Sequence, residues 1–506
     1  MNAAHERGLL RGTPANFIRG RSVLLSAPGA AVDGDDITSL DPARPSTAVW
    51  SARAPRVHID AAVDAARNSL ARWRAVGSAG RAFALEAWRE AALARADQLA
   101  QLITLETGKT LSESRAEAKA VAEKVTITLD TQVASRVAGW ECELSPTRRG
   151  VCEFAPYGVV AVLGPFNFPA HLPNGHIVPA LLAGNTIVFK PSERAPAVGQ
   201  FLAELAEDAG IPAGVFNVVH GGAAIASALV SHDGLDGILF TGSWGVGRSI
   251  LAANLDRPGR MIALEMGGSN PSIVLDDCHM TQAVVECLRS AFATAGQRCT
   301  CTRRIIVHQG IAGEFISLFC RGAGALSIGP GNSADPVFMG PLISESARQR
   351  VLDFQARSVD RAGQLLLEAR AIDREGWFLS PGVIQVGSFD RHTDEEVFGP
   401  VVQIAVVDSV EAAIEQANAT AYGLAASVYT ASRERWHAIA PRLRAGCVNW
   451  NVATVGASSR LPFGGLGRSG NLRPAGALSI DSCAAPIAHL LESSGEVAFP
   501  EGMRPF

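Results

Sequence analysis

The sequence predicts an α/β protein built around two successive parallel sheets. Short apolar runs separated by helical segments recur from Val159 to Leu264, which is typical of buried parallel strands covered by helices on both faces. A second αβ series runs from Pro271 to Trp450, and no repeat or low-complexity linker divides the two series. The polar, alternating stretch from Gly139 to Tyr157 predicts a β-hairpin between larger blocks.

The segment before this hairpin has a helical pattern. From Asp60 to about Ser135 it is rich in Ala, Arg and Glu, with apolar residues at helical spacing, and it predicts long amphipathic helices. Ligands of a parallel sheet bind beyond the carboxyl ends of its strands, so we expect functional residues directly after each strand. The strands predicted for the first sheet are Val159–Leu163, Thr186–Phe189, Val215–Val219, Gly237–Phe240 and Met261–Leu264.

Size and charge favour a small-molecule partner. The 506 residues are 47% hydrophobic and leave room for about three domains. The formal net charge of -4 and the lack of a long Lys/Arg run argue against nucleic acid or an anionic membrane as partner. No apolar stretch reaches membrane length, and the run Val23 to Leu25 is too short for an export signal.

Cysteine usage fits a reducing cytoplasm. Nine cysteines are scattered from Cys142 to Cys483, an odd number without the paired spacing of a zinc site. His171 and His176 are not at helical spacing and no third ligand is evident, so we expect no metal.

Cys299 is a candidate nucleophile. A helix predicted from Thr281 to Ala295 ends at Gly296, so that Cys299 follows on a tight loop. A thiol beside backbone N–H groups on such a turn is a plausible site of attack. Taken alone, a single cysteine is more often a small buried hydrophobic residue than a nucleophile.

Two further polar residues follow apolar strands. Glu265 ends a strand before paired glycines and is a candidate general base, although a loop salt bridge explains it as well. Asn167 follows another strand among residues that exclude water. Its amide is a candidate oxyanion donor, or simply a turn residue.

The stretch from Phe240 to Gly247 ends a strand and opens a helix. The free N–H groups of such a helix start can face a pyrophosphate, although the glycine spacing differs from GxGxxG. Lys190 and Glu193, just after another strand, are candidates for holding an adenosine ribose, or a solvated loop pair. Glu396 and Phe398 place a carboxylate beside an aromatic ring, for which a structural turn is the alternative.

In this order, from about Asp60 to Ala488, the segments together resemble the aldehyde dehydrogenase superfamily. The resemblance implies an α/β fold with a Rossmann-type cofactor domain, an α/β catalytic domain and a small β-hairpin that extends the sheet of a neighbouring subunit in a homodimer or homotetramer. The expected bounds are 1–137 and 158–266 for the NAD-binding domain, 267–470 for the catalytic domain, 138–157 and 471–495 for the oligomerisation element, and 496–506 for a C-terminal tail.

The resemblance also implies an NAD(P)-dependent oxidation of an aldehyde to a carboxylic acid. By that likeness Cys299 is the nucleophile, Glu265 activates the water that releases the acid, and Asn167 stabilises the oxyanion. A carboxylate at Glu193 would repel a ribose 2'-phosphate, so NAD is expected, with NADP left open. The implied cofactor-binding residues are Phe166, Lys190, Glu193, Gly242, Ser243, Gly247, Glu396 and Phe398.

Within the superfamily, three stretches are similar to succinylglutamic semialdehyde dehydrogenase: residues 167–176, 294–301 and 469–474. Arg473 is then a candidate for binding a substrate carboxylate. Val452 stands where that subgroup usually has a lysine, which leaves room for a medium- or long-chain aliphatic aldehyde instead. A thiol acyltransferase or hydrolase, a non-catalytic structural protein and coenzyme A as acyl acceptor are the remaining alternatives.

Overall fold

Two seven-stranded sheets organise the chain in the computed structural model, which describes residues 2–392, 394–504 and 506. The strands are β1 (Ala15–Ile18), β2 (Arg21–Leu24), β3 (Gly34–Asp41), β4 (Arg44–Pro55), β5 (Trp140–Glu143), β6 (Arg148–Pro156), β7 (Val159–Leu163), β8 (Thr186–Lys190), β9 (Phe216–Val218), β10 (Gly237–Thr241), β11 (Met261–Glu265), β12 (Asn270–Val274), β13 (Thr302–His308), β14 (Gln364–Leu367), β15 (Gly382–Val386), β16 (Val401–Val407), β17 (Ala425–Tyr429), β18 (Cys447–Trp450), β19 (Pro462–Phe463), β20 (Ala475–Gly476) and β21 (Ala484–Glu492).

Helices cover both faces of these sheets. They are α1 (Ala3–Glu6), α2 (His58–Ala75), α3 (Gly77–Ala94), α4 (Ala96–Thr107), α5 (Leu111–Leu129), α6 (Thr131–Ala134), α7 (His171–Ala183), α8 (Pro196–Asp208), α9 (Ala223–Val230), α10 (Trp244–Ala252), α11 (Met280–Phe292), α12 (Ala312–Gly324), α13 (Glu345–Asp360), α14 (Val410–Asn418) and α15 (Arg433–Ile439). Within the described residues, none of these helices is both long and apolar enough to cross a bilayer.

The first sheet has the order β11-β10-β7-β8-β9-β1-β2, and its first five strands in that order are parallel. All five predicted strands are present, and their bounds differ from the prediction by one residue at most. The chain runs outward from β7 through β8 on one side and returns to β10 on the other side. The carboxyl ends of β7 and β10 therefore flank the point where the strand order reverses, where open α/β sheets bind ligands.

The residues before Asp60 contain two hairpins that the sequence analysis did not predict. The hairpin of β1 and β2 extends the first sheet, with Phe17 opposite Val218 in an antiparallel pairing. The longer hairpin of β3 and β4 buries Trp50 completely. Its apolar residues are separated by Ser, Thr and Arg, so the two-residue alternation of a strand is present but weak.

The second sheet has the order β14-β15-β16-β13-β12-β17-β18, in which only β14 runs antiparallel. It confirms the predicted second αβ series. One boundary was wrong: the helix predicted to run to Ala295 ends at Phe292. Thr294 and Ala295 have φ values of 54° and 53°, a left-handed backbone that cannot continue an α-helix.

A three-stranded antiparallel sheet, β21-β6-β5, stands apart from both large sheets. β6 leads into the central strand β7 through Tyr157 and Gly158 alone. The strands lie inside the ranges expected for the oligomerisation element. Residues 471–476 of those ranges lie elsewhere, against β11, where Asn471 accepts a hydrogen bond from the Leu264 N–H at 2.9 Å.

Candidate active site

Cys299 lies on the loop between α11 and β13, here called the nucleophile loop (residues 294–301). Its side chain is half-buried. The Asn270 side-chain amide donates to the carbonyl oxygens of Cys299 and Cys301, at 2.7 and 2.8 Å, and so holds the loop against the start of β12. Burial, with the nearby carboxyl groups of Glu396 and Glu265, raises the pKa of the Cys299 thiol, whereas a hydrogen bond from the Thr300 N–H acts in the opposite direction. The thiol is therefore protonated at neutral pH before substrate binds.

The nucleophile loop begins with three successive left-handed residues. Thr294, Ala295 and Gly296 have φ values of 54°, 53° and 71°. A left-handed β-branched residue such as Thr294 is a strained exception. The buried Arg303 guanidinium donates to the carbonyl oxygens of Gly296 at 2.5 Å, Arg298 at 3.2 Å and Gly399 at 3.0 Å. Arg303 thus ties the nucleophile loop to Gly399, and it is a second donor to the Arg298 and Gly399 carbonyls, which also accept from the Cys301 and Val401 N–H groups.

Asn167 lies on the segment that follows β7, here called the oxyanion loop (residues 167–171). Its side chain is buried, and its amide nitrogen donates to the Gln297 carbonyl oxygen at 2.9 Å. Gln297 is two residues before Cys299 in the sequence, so this bond holds Asn167 against the loop that carries the thiol. One hydrogen of the Asn167 amide is used in this bond, so the other is free in principle to donate to a developing oxyanion.

Glu265 is the last residue of β11 and is buried. Its Oε1 accepts a hydrogen bond from the Ala475 N–H at 3.3 Å, while its buried Oε2 has no hydrogen-bond partner. Burial raises the pKa of Glu265 well above its usual range, against the smaller effect of the Ala475 hydrogen bond. A carboxyl group with one free oxygen and a raised pKa suits proton transfer with water.

Glu396 lies near the same thiol, and Phe398 is two residues further along the chain. Glu396 Oε1 accepts from the Gly268 N–H at 3.1 Å, and a side chain at Gly267 would come within 1.8 Å of Glu396 Oε2. A side chain at Gly267 would therefore displace the Glu396 carboxyl group. Burial raises the pKa of Glu396 to about 7, although Arg303 lowers it in part. The Phe398 ring meets the Phe166 ring edge-on at 5.8 Å between centroids.

The turn after β10 is shaped by packing. The Ser243 side chain caps α10 by accepting from the Val246 N–H at 3.5 Å. A side chain at Gly242 would meet the Phe240 ring at 2.4 Å, and one at Gly247 would meet the Met266 sulfur at 2.4 Å. Both glycines are therefore explained by neighbouring side chains, and the helix start stays open to an anion.

Lys190 and Glu193 lie at the end of β8, next to the carboxyl end of β7. Lys190 Nζ is 3.8 Å from Glu193 Oε2 and donates to the Pro191 carbonyl at 2.8 Å. Burial lowers the pKa of Lys190, and the Glu193 carboxylate counteracts it. Half of the Glu193 side chain is exposed, so its carboxylate is open to a ligand.

Comparison with known proteins identifies the family. The sequence model of the aldehyde dehydrogenase family matches residues 30–485. The chain belongs to this family. The match confirms the predicted α/β fold class and an NAD(P)-dependent aldehyde dehydrogenase as the enzyme class.

Several solved structures superpose over nearly the whole chain. PnpE from Pseudomonas sp. WBC-3 is 31% identical, with a TM-score of 0.90 over 97% of this chain and 100% of its own. The NAD+ complex of an aldehyde dehydrogenase from Bacillus cereus is 28% identical, with a TM-score of 0.90 over 97% and 99%. An NADP dependent enzyme from E. coli is 31% identical, with a TM-score of 0.89 over 96% and 99%.

The two candidate substrate residues, Arg473 and Val452, are both exposed. Arg473 is exposed, and its guanidinium is near Tyr157. Ala475, two residues after Arg473, donates its N–H to the Glu265 carboxyl group. The Val452 side chain is 46% exposed, and the next residue, Ala453, donates its N–H to the Glu286 carboxylate at 2.8 Å.

The two histidines weighed in the sequence analysis have ordinary surroundings. His176 is buried and lies 3.0 Å from the Thr241 hydroxyl, and burial lowers its pKa to about 4. His171 is the first residue of α7, and its backbone N–H donates to Glu117. In the part of the chain that the structure describes, no group of three or more His, Cys, Asp or Glu side chains could hold a metal ion.

Several buried residues that support the site were missed by the sequence analysis. They are Lys109, Glu113, Glu117, Asn270 and Arg303, and each contacts one of the two loops that carry Asn167 and Cys299. The capping pattern Thr110-x-x-Glu113 at the start of α5 was the available signal for one of them, because it marks a helix N-terminus.

Proposed function

We propose that this aldehyde dehydrogenase oxidises its substrate through a thioester on Cys299, with NAD as the hydride acceptor. The observation that carries the proposal is that three groups lie together. They are the half-buried thiol of Cys299, the buried amide of Asn167, which donates to the Gln297 carbonyl two residues before the cysteine, and the buried carboxyl group of Glu265, which has one free oxygen. Family membership supplies the reaction class, and these contacts support the assignment of roles.

The sulfur forms the first bond to the substrate. The half-buried Cys299 thiol releases its proton to solvent water, the thiolate attacks the aldehyde carbon, and the carbonyl oxygen becomes an oxyanion. The second hydrogen of the Asn167 amide and the Cys299 backbone N–H stabilise that charge. The same low polarity that raises the pKa of the resting thiol strengthens these hydrogen bonds to the oxyanion.

The bound dinucleotide supplies the acceptor for the hydride that leaves the tetrahedral carbon. Lys190 and Glu193 are suited to the hydroxyl groups of one ribose, and Ser243 with the start of α10 to the pyrophosphate. Glu396 and Phe398 are suited to the nicotinamide end. We favour NAD over NADP because the Glu193 carboxylate would repel a 2'-phosphate.

Glu265 completes the cycle. Its free Oε2 accepts a proton from a water molecule as the water attacks the thioester, which releases the carboxylic acid and returns the thiolate. The raised pKa of Glu265 makes this carboxylate a stronger base than an exposed glutamate.

Stopped-flow measurement of NADH tests these roles. Cys299→Ala should give no NADH, whereas Glu265→Gln should give a burst of about one NADH per site followed by slow turnover. Cys320→Ala, which changes another half-buried cysteine on α12, is the matched control and should keep the wild-type burst and turnover. A Glu265→Gln enzyme without a burst would contradict the assigned role. Adding coenzyme A to the same assay tests it as acyl acceptor.

For the substrate, we propose N-succinylglutamate 5-semialdehyde on the strength of Arg473, an exposed cation. A medium- or long-chain aliphatic aldehyde is the second candidate. It is favoured by the exposed apolar side chains of Val452 and Leu472 and by the Glu286 carboxylate, which would repel an anionic substrate.

A comparison of kcat/KM for the two substrates separates these candidates. If the succinylated aldehyde is the substrate, Arg473→Gln should lower its kcat/KM about tenfold or more and leave a fatty aldehyde unaffected. Equal effects of Arg473→Gln on both would contradict a carboxylate-binding role. Arg468→Gln, another charged side chain of the same segment, serves as the control.

We also propose a homodimer or homotetramer assembled through the three-stranded sheet. The side chains of Trp140 and Leu490 are 60% and 74% exposed on it, which is a large apolar area for a free surface. Leu490→Lys should shift the mass measured by light scattering toward the monomer. All nine cysteines are unpaired, which supports the proposal of a reducing cytoplasmic location.

A further inference from the structure

The start of helix α5 contacts both loops of the candidate site. We propose that Lys109, Glu113 and Glu117 are positioning residues that fix the separation between the Asn167 amide and the Cys299 thiol. The inference rests on the proposed roles of Asn167 and Cys299. None of the three side chains is assigned contact with the substrate, so each would act through the loop it holds.

The first contact is a buried ion pair against the oxyanion loop. Lys109 Nζ lies 2.5 Å from Glu117 Oε2, and both side chains are at most 1% exposed. Lys109 also donates to the Asn167 carbonyl oxygen at 3.1 Å. The other oxygen of Glu117 accepts from the backbone N–H groups of Ala170 and His171, at 3.0 and 3.1 Å. The pair thus binds three backbone groups of this short loop.

The second contact is a buried carboxylate against the nucleophile loop. Glu113 Oε1 accepts from the Thr294 N–H at 2.9 Å, the Thr294 hydroxyl at 2.7 Å and the Arg298 guanidinium at 2.9 Å. Burial alone would raise the pKa of Glu113, but Arg298 and Lys109 lower it, so the carboxylate is charged. Its bonds hold Thr294 in its left-handed conformation at the start of the loop.

Helix geometry joins the two contacts. Glu113 and Glu117 are four residues apart and lie on the same face of α5, one turn from each other. The capping box of Thr110 and Glu113 fixes where the helix begins. The ring of Phe168, on the oxyanion loop, has its centroid 3.6 Å from Lys109 Nζ and 5.2 Å from the guanidinium of Arg298, which lies on the nucleophile loop. The helix is therefore a rigid spacer between a loop of the first sheet and a loop of the second.

The chemistry is sensitive to this spacing. A displacement of about 1 Å in a reacting group can cost about 100-fold in rate, and loss of one oxyanion donor costs about 100- to 1,000-fold. A purely structural role would instead lower the stability and leave the reaction rate of the folded enzyme unchanged.

Two rates in the full-length enzyme distinguish these roles. One is single-turnover NADH formation at saturating NAD and aldehyde, and the other is alkylation of Cys299 by iodoacetamide. Lys109→Met should slow NADH formation about 10- to 100-fold and leave alkylation unchanged, because alkylation needs no oxyanion donor. Glu113→Gln should slow NADH formation similarly and also change the alkylation rate at least about threefold, because it releases the nucleophile loop.

The matched control is Glu204→Gln. Glu204, on α8 in the same half of the molecule, forms a largely buried ion pair with Arg95 at 2.7 Å, with side chains 9% and 12% exposed. It should lower the stability and leave both rates at the wild-type value. Lys109→Gln, whose amide can still donate to the Asn167 carbonyl, should recover part of the lost rate, and it replaces Lys109→Met if that variant does not fold.

Wild-type NADH formation in folded Glu113→Gln and in the folded Lys109 variant would overturn the inference while leaving the proposed function intact. A wild-type enzyme that forms no NADH from any aldehyde would overturn both. An equal loss of rate in Glu204→Gln would show that the loss of any buried charge pair is sufficient to slow NADH formation. That result would also overturn the inference.

Discussion

The two large sheets place their site residues in different ways. In the first sheet, Glu265 ends β11, Ser243 caps the helix that follows β10, and Asn167 follows β7 within a few residues. In the second sheet, Cys299 lies on an irregular loop that begins with left-handed residues and is held by Asn270 and by buried charged groups.

The difference shows where the geometry of the site is determined. Residues at strand ends are positioned by the backbone hydrogen bonds that join the strands of the sheet. The nucleophile loop has no such ladder, and a few side chains supply its hydrogen bonds. We therefore expect single substitutions to have larger effects around Cys299 than around Ser243.

The largest effect is expected from Arg303→Leu. The guanidinium donates to three carbonyl oxygens, and hydrogen bonds from a charged group contribute about 1.5–3 kcal/mol each. We expect a loss of about 5 kcal/mol in the free energy of unfolding, measured by urea denaturation. Arg374→Leu is the comparison variant, because the Arg374 guanidinium lies over the Phe378 ring, 4.8 Å from its centroid. A loss of stability under about 1 kcal/mol for Arg303→Leu would contradict the expectation that the loop around Cys299 is more sensitive to substitution than the first sheet is.

The next effect concerns pH and Glu396. The pKa of this carboxyl group is raised from 4.5 to about 7 by burial, so the folded state binds its proton more tightly than the unfolded state does. The stability that the folded state gains from this tighter proton binding is fully present below about pH 4.5 and is lost as the pH rises toward 7. The wild type should lose up to about 3 kcal/mol over that window relative to Glu396→Gln. Parallel pH dependence in the two proteins would contradict the raised pKa.

Asn270→Ala should have an intermediate effect. It removes two hydrogen bonds to the carbonyls of Cys299 and Cys301 and one from the Ala425 N–H, which ties the loop to β17. We expect a loss of about 2–3 kcal/mol in stability together with at least a tenfold lower burst rate. A normal burst rate would show that the loop keeps its conformation without this side chain.

The smallest effect is expected in the first sheet, from Ser243→Ala. The Ser243 side chain caps α10, and loss of such a cap costs about 1 kcal/mol. The KM for NAD should rise a few-fold and the burst rate should not change. Ser249→Ala, in the same helix, is the control for KM. A loss of stability equal to that of Asn270→Ala would argue that the two sheets are equally sensitive.

The sequence predicted the strand-end residues because they follow from periodicity. All five strands of the first sheet could be read from apolar runs, which placed Glu265 and Asn167 at the correct edge. The hairpins before Asp60 were missed because their alternation is weak. The helix before Cys299 was predicted three residues too long at its end, because nothing local to Thr294 indicates that Glu113, far away in sequence, holds it in a left-handed conformation.

The supporting residues could not have been found in this way. Lys109, Glu117 and Arg303 are charged residues that look like surface residues in the sequence, but in the fold they are buried and bind backbone groups far away in the sequence, those of Asn167, Ala170 and Gly399. Arg473 and Val452 showed the opposite difficulty. Their sequence context suggested a substrate site, while both side chains are exposed and their substrate role stays a prediction.

The raised pKa of Cys299 has a consequence for the lifetime of the enzyme. Peroxides and other oxidants react with the thiolate rather than with the neutral thiol. A nucleophile kept neutral by burial and by two adjacent carboxyl groups is therefore shielded from such damage while no aldehyde is present. Its vulnerability is confined to the brief part of each turnover in which the sulfur is charged.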